Sequence, residues 1–288
     1  MESVLSIPYF APNPPVPLPT DAEIDAASDI SLAYGGRRVV EVGAHFVVKF
    51  GKGVDLMEGE NMIFVQEKTA MPLPRVYALY SRTSKNYIVM ERIAGQTLSS
   101  LWSQLYASEK ESIVEMLRFY FSELRNLPPP TYYGSLGRRR LLDGIFWTVG
   151  LEEPAINGPF DSDEAFIEAL PLKYTYDGRS GYRADYYRQT LPQVLRGHCP
   201  TFTHGDFQRK NIMVQRVEGG SQYPQLSTWR IHIIDWEKSG WYPTYWDHAM
   251  ASCALRWDDD WCLWLQKALD PYPSEAAWLQ IIRLELWS

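Results

Sequence analysis

The stretch Phe202–Gln215, FTHGDFQRKNIMVQ, constrains this chain more than any other. It sets His204, Gly205 and Asp206 between two short apolar runs and places Asn211 five residues after the Asp. A loop that only joins strands needs turn residues; it has no use for a carboxylate and a carboxamide at that separation. Average residue usage makes a chance His-Gly-Asp-x4-Asn match roughly a one-in-a-thousand event per chain. Other polar residues stand in a set order around it. Lys49 ends an apolar strand, HFVVKF, with Glu58 and Glu60 on the helical stretch that follows. Asp235 ends another, WRIHIID, 24 residues after Asn211. Singly, each has a plain reading: a solvated lysine, surface glutamates, a turn-capping aspartate.

Together, and in that order, they match what phosphoryl transfer requires. A carboxylate must orient an acceptor hydroxyl and take its proton. An amide oxygen and a second carboxylate must hold Mg²⁺ on the nucleotide phosphates. A lysine must neutralise phosphate charge, and an acidic partner must restrain that lysine.

The surrounding pattern places these residues on two lobes. Six prolines fall within residues 8–19, which predicts an extended tail over 1–21. Residues 21–28 predict a short helix. RRVVEV and HFVVKF predict a β pair, 55–69 a helix ended by Pro72 and Pro74, and RVYALYS with NYIVMERI a second β pair. The nucleotide-binding lobe is therefore expected over 22–93. From 94 to 288 the pattern turns helical, with a capped amphipathic helix over 108–127, loops and short helices over 128–180, and a helix over 181–196 broken near Pro192. The expected fold class is α+β: a small antiparallel-sheet lobe followed by a larger, mainly helical lobe with the catalytic loop, metal site and acceptor pocket.

With 288 residues, the chain is long enough for two such lobes around a real core. Its net charge of -7 argues against a general nucleic-acid binder. Cys199, Cys253 and Cys262 are too few and too scattered for a disulfide framework or a zinc site, and read as reduced intracellular thiols. The first twenty residues lack the features of a secretory signal, and no run approaches a membrane span. A cytoplasmic protein without membrane or nucleic-acid partners is expected; the sequence leaves its oligomeric state open.

HGDFQRKNIMV resembles the catalytic loop of the aminoglycoside phosphotransferase and choline kinase family, a branch of the protein-kinase-like fold. IIDWEKSGWYPTYWDHA resembles its metal-binding segment, with Trp246-Asp247 at an acidic position near the start of a helix. VVKFG and EGENMIFVQEKTAMPLPRVY resemble its nucleotide lysine, the following helix and the strand after it. GPFDSDEAFIEAL is similar to a segment in many fungal members. The resemblance covers about residues 30–250. It implies Asp206 as catalytic base, Asn211 and Asp235 as Mg²⁺ ligands, and Lys49 on the ATP phosphates. Glu58 is its expected partner, with Glu60 as the alternative. It also implies Met90 at the back of the adenine pocket and the Glu91 and Ile93 backbones on the adenine edge. His204 is expected to shape the loop by bonding a backbone carbonyl. The Lys49–Glu58 pair is expected to be partly exposed, and so to matter for phosphate positioning more than for stability.

The chain departs from protein kinases in places. It has no G-x-G-x-x-G; YGGRR (34–38) or the turn at Gly43 are the candidate phosphate loops. Gln208 stands where protein kinases carry a lysine, and neither Arg209 nor Lys210 is assigned to replace it. There is no Ala-Pro-Glu segment and little room for a peptide-docking loop, so the expected acceptor is a small-molecule hydroxyl. Its identity is open; DSDE (161–164), DDD (258–260) and the tyrosines over 182–187 are candidates for its pocket, against the commoner reading of solvated acidic faces. A catalytically silent nucleotide-binding or scaffold module is the alternative function.

Overall fold

A computed structural model describes residues 5–30, 36–217 and 229–287. The first lobe comprises β1 (Tyr9–Phe10), α1 (Asp21–Ala26), β2 (Arg37–Val42), β3 (Phe46–Gly51), α2 (Met57–Lys68), β4 (Val76–Arg82) and β5 (Lys85–Glu91). Its five strands pair antiparallel in the order β1-β4-β5-β3-β2. The proline-rich segment is extended, and it docks: Tyr9 and Phe10 pair with Leu79 and Ala78, and Ala11 N–H donates to Tyr77 O at 2.8 Å. Prolines suit an edge strand because the ladder asks for few of their missing N–H groups. α1 starts at a capping box between Thr20 and Glu23.

Alternation in the strands divides their side chains between two faces. Val40, Val48, Phe50, Tyr77 and Val89 form one cluster. Leu79, Ile88 and Met90 join α2 in another that continues into the second lobe. α2 lies close to β4 because residue 59 is glycine: a Cβ there would come within 2.1 Å of Leu79. Phe64 of α2 packs on Phe202 and Trp241, with ring centroids 5.0 and 6.2 Å apart, so the lobes share core and not only a linker.

The second lobe comprises β6 (Gln96–Thr97), α3 (Leu98–Leu101), α4 (Ala107–Arg125), α5 (Pro154–Asn157), α6 (Asp163–Tyr176), α7 (Gly181–Leu195), β7 (Pro200–Thr203), β8 (Ile212–Arg216), β9 (Trp229–Ile233), β10 (Gly240–Pro243), α8 (Trp246–Cys253), α9 (Trp261–Ala268) and α10 (Pro273–Trp287). Two differences from the expected pattern stand out. The region expected as loops and short helices contains α6, a longer helix of fourteen residues with Pro171 inside it. Its buried residues, including Phe166, Ile167, Ala169 and Leu170, run almost continuously, so the chain there shows no one-faced helical period. α7 runs unbroken to Leu195, because Pro192 falls in its last turn. Among the described residues no helix is long and apolar enough to cross a membrane.

Candidate functional site

β7 leads into the His-Gly-Asp turn, which Gly205 makes possible. Its φ is +78°, and a Cβ would lie 2.6 Å from the Lys238 carbonyl. The turn is held from beneath by Asp247, at the start of α8. Its buried carboxylate accepts the N–H groups of Gly205 (2.9 Å) and His204 (3.3 Å). Burial pushes the Asp247 pKa up, against the lowering by those donors. His204 Nδ1 accepts the Asp206 N–H at 3.2 Å, so Nε2 carries the hydrogen and donates to Ile234 O at 3.0 Å. As expected, His204 shapes the loop.

Asp206 is thereby fixed from both sides. Its Oδ1 accepts from Gln208 Nε2 at 2.6 Å, and its Oδ2 from Asn211 Nδ2 at 3.0 Å. Asn211 also donates to the Asp206 carbonyl at 2.9 Å, and its own carbonyl accepts the Ile234 N–H at 2.9 Å, so it ties the His-Gly-Asp loop to the end of β9. Lys210 and Lys238 lie 3.4 and 3.8 Å from the Asp206 carboxylate. Burial alone would raise the Asp206 pKa, but these ammonium groups, His204 and the Gln208 hydrogen bond outweigh it and hold the carboxyl at about 2. Lys210 and Lys238 thus supply the charge that Gln208 lacks. Arg209 is turned away to Asp259, at 2.7 Å.

Asp235 follows β9 with φ +67°, a left-handed turn that aspartate tolerates better than most residues. The turn aims its carboxylate at Lys49, 3.0 Å away. Lys49 also meets Glu58 at 2.6 Å and Glu237 at 3.1 Å, and Arg37 reaches Glu237 at 2.5 Å. Glu60, two residues past Glu58 and so about 200° around the helix, instead pairs with Arg139 at 2.7 Å. The helix register that faces Glu58 to Lys49 is the one expected. Asn61 secures it from the same helix by donating to the Trp236 and Ser239 carbonyls at 3.0 and 3.3 Å.

The expectation of a partly exposed pair is corrected. The side chains of Lys49 and Glu58 are only 8% and 3% exposed, because α2 closes over them. Burial would push Lys49 toward its neutral form; Glu58, Asp235 and Glu237 overcome that and raise its pKa. Burial first, with Asp235 and Glu237, pushes Glu58 up to about 7 against the pull of Lys49. The carboxylates of Glu58, Asp235 and Glu237 lie within 4.8 Å of one another. Three acidic groups against Lys49 and Arg37 leave an excess of negative charge on hard oxygen donors, a set that fits a divalent cation such as Mg²⁺.

Glu237 and Lys238 were missed by the sequence reading. Their signal was the charged pair directly after Asp235-Trp236. Of the candidate phosphate loop, Tyr34 and Gly35 lie outside the described residues; Arg37 faces the cleft, and Gly43 makes the tight turn between β2 and β3. The acidic stretches proposed for an acceptor are largely engaged elsewhere. Asp161 pairs with Arg138, Asp163 accepts the Gly197 N–H, and Asp260 pairs with Lys110.

Lys49, Glu58, Met90, Glu91, Ile93, Asp206, Asn211 and Asp235 all line one interlobe cleft of about 590 Å³. Val39 and Val47 of the sheet and Met213 and Ile234 of the second lobe also line it, making an apolar slot beside the charged end. Glu91 N–H is bonded to Arg75 O at 2.8 Å.

This two-lobed architecture is a protein-kinase-like fold, shared with solved phosphotransferases. A protein assigned as a fructosamine-3-kinase from Haemophilus somnus 129PT superposes with a TM-score of 0.56 at 13% identity, over 93% of this chain and 87% of that one. An aminoglycoside-3'-phosphotransferase of type VIII gives 0.54 at 15%, over 92% and 98%. APH(2")-IIa, solved with streptomycin and ATP, gives 0.51 at 15%, over 93% and 87%. Residues 38–278 match the APH phosphotransferase enzyme family, and the chain belongs to that family. Two strains of Aspergillus fumigatus carry a subtelomeric hrmA-associated cluster protein 33% identical to it over 114 residues, 37% of this chain. The chain's match spans about a fifth (21%) of the length of those relatives.

Proposed function

We propose that the chain is a small-molecule kinase that moves the γ-phosphoryl group of ATP, with Mg²⁺, to a hydroxyl of its acceptor. The observation that carries this reading is the meeting of Lys49, Asp206, Asn211 and Asp235 in one cleft, although they are spread over 187 positions of sequence. ATP is the nucleotide bound in one of the solved relatives. Adenine would enter the slot between Val47 and Met213, against Met90. Since the Glu91 N–H is engaged by Arg75, the Glu91 carbonyl and the Ile93 N–H are the groups assigned to the base edge.

Lys49 would bind phosphate oxygens, with Glu58 restraining its flexible stem. Asp235, Asn211 and Glu237 would hold Mg²⁺, which neutralises charge on the transferring group. Asp206 would accept a hydrogen bond from the acceptor hydroxyl. A carboxylate with a pKa near 2 is a weak base, so it orients the oxygen first. It takes the proton as the new O–P bond forms and the bond from phosphorus to ADP breaks. Calorimetry with ATP, with and without Mg²⁺, and slow ADP release without acceptor test the reading. Mg²⁺-dependent binding with measurable turnover supports it; binding without any turnover favours the silent module, and no binding sinks both.

A further inference from the structure

A second cavity, of about 230 Å³, adjoins the catalytic loop. Lys210 lines both it and the nucleotide cleft. Gln208, another of its walls, donates to Asp206. Gln208 and Lys210 therefore join this cavity to Asp206, which itself lines the nucleotide cleft. Resting on the phosphotransferase reading above, we propose that this cavity holds the acceptor, and that the acceptor is a neutral or acid-bearing hydroxy compound of about one sugar ring, not a polycationic amine.

The charge of the walls carries the argument. Arg209, Lys210 and Arg256 line the cavity against Asp258 and Asp259, a surplus of one positive charge. Asp259 is taken up by Arg209 at 2.7 Å. Arg209 is further held over the rings of Trp102 and Trp261, 5.5 Å from each centroid. Asp260 does not line the cavity at all. It accepts from the Trp102 and Trp264 indoles at 2.8 and 2.9 Å and pairs with Lys110 at 2.9 Å. Of the acidic run, Asp259 and Asp260 are thus structural, and Lys210 and Arg256 stand against Asp258 in what remains. Like charges placed together disfavour a cationic ligand, whereas a carboxylate there finds a guanidinium suited to it.

Size points the same way. Sites for drug-sized ligands run to about 300–1,000 Å³, above this one. At about 30 Å³ per water, the cavity displaces roughly eight waters, the scale of a single ring. Trp257, 68% exposed, also lines the cavity and offers it an aromatic surface, which suits the C–H groups of a sugar.

The test offers the full chain, with Mg²⁺ and ATP, glucuronate, glucose and glucosamine: one ring size, with anionic, neutral and cationic charge. Acceptor-stimulated ADP release is measured for each, and nucleotide binding is followed separately by calorimetry. The expected kcat/KM is lowest for glucosamine, by about tenfold or more, the factor of a modest electrostatic difference. Arg256→Glu should reverse that order. Glucosamine as the best acceptor, an order indifferent to charge in both proteins, or no stimulation by any probe while ATP binds would overturn the proposal. Failure of Mg²⁺-dependent ATP binding would instead remove the phosphotransferase reading, and this inference with it.

Discussion

The two charged ends of the cleft are built in opposite proportion. Around Lys49, one ammonium faces the carboxylates of Glu58, Asp235 and Glu237. Around Asp206, one carboxylate faces the ammonium groups of Lys210 and Lys238. The first end is short of positive charge, which suits a place where a cation joins the protein. The second end keeps its carboxylate ionised at about pKa 2 and hydrogen-bonded on both oxygens, which suits a group that must point at an acceptor. On the proposed reading, opposite stoichiometries of the same side chains would divide binding from chemistry within one cleft.

The division makes Asp206 and the Lys49 cluster separable by mutation. Asp206→Asn should lower kcat by about 10²–10⁴-fold, the usual contribution of a general base. Nucleotide affinity should hold, as read by ADP release and calorimetry. Lost affinity without lost turnover would break the division. Lys49→Met should act at the other end and on stability as well. It strands the buried Glu58, while Asp235 stays part-exposed and Glu237 keeps Arg37, and removing one partner of a buried pair costs about 3–5 kcal/mol. Urea unfolding without divalent cation should show that loss, and Mg²⁺ should restore part of it. An unchanged midpoint would mean that the cluster relaxes into water. Asp235→Ala should weaken Mg²⁺-dependent nucleotide binding by at least the roughly 10–100-fold that loss of an outer-shell partner costs a metal site.

Acid pH sharpens the contrast further. The Asp206 pKa is lowered on folding from 3.8 to about 2, so its contribution to stability is present above the unfolded value and is lost as pH falls through the folded one. That contribution is about 2 kcal/mol. The difference in stability between wild type and Asp206→Asn should therefore shift by about that amount between about pH 5 and about pH 2. A flat difference would show that the lysines do not set its charge. The smallest effect is expected at Glu60, which ties α2 to Arg139 and takes no part in the cluster. Glu60→Gln should cost about 1 kcal/mol of stability and leave nucleotide affinity unchanged.

The residues that meet in the cleft were legible in the sequence because phosphoryl transfer, as proposed, asks for their types in a set order, which does not change with packing. Lys49, Asp206, Asn211 and Asp235 stood out by type and order, and Glu58 was preferred to Glu60 through the family resemblance. The two-lobe plan was legible too, since strand alternation and helical capping are local. Other features depended on contacts between distant segments. The burial of the Lys49–Glu58 pair needs α2 held against β4 by Gly59 and against the second lobe by Asn61 and Phe64. α6 is a helix despite Pro171 because neighbours cover it on most sides and erase its periodicity. Glu237 and Lys238 look like ordinary loop charges until the turn at Asp235 sends one to Lys49 and the other to Asp206. The same holds for DDD (258–260), whose charges read alike in the chain but are parted by folding, Asp259 to Arg209 and Asp260 to Lys110. A side chain's type is written locally; its partner is set by which distant segment packs beside it, and that is a property of the whole fold.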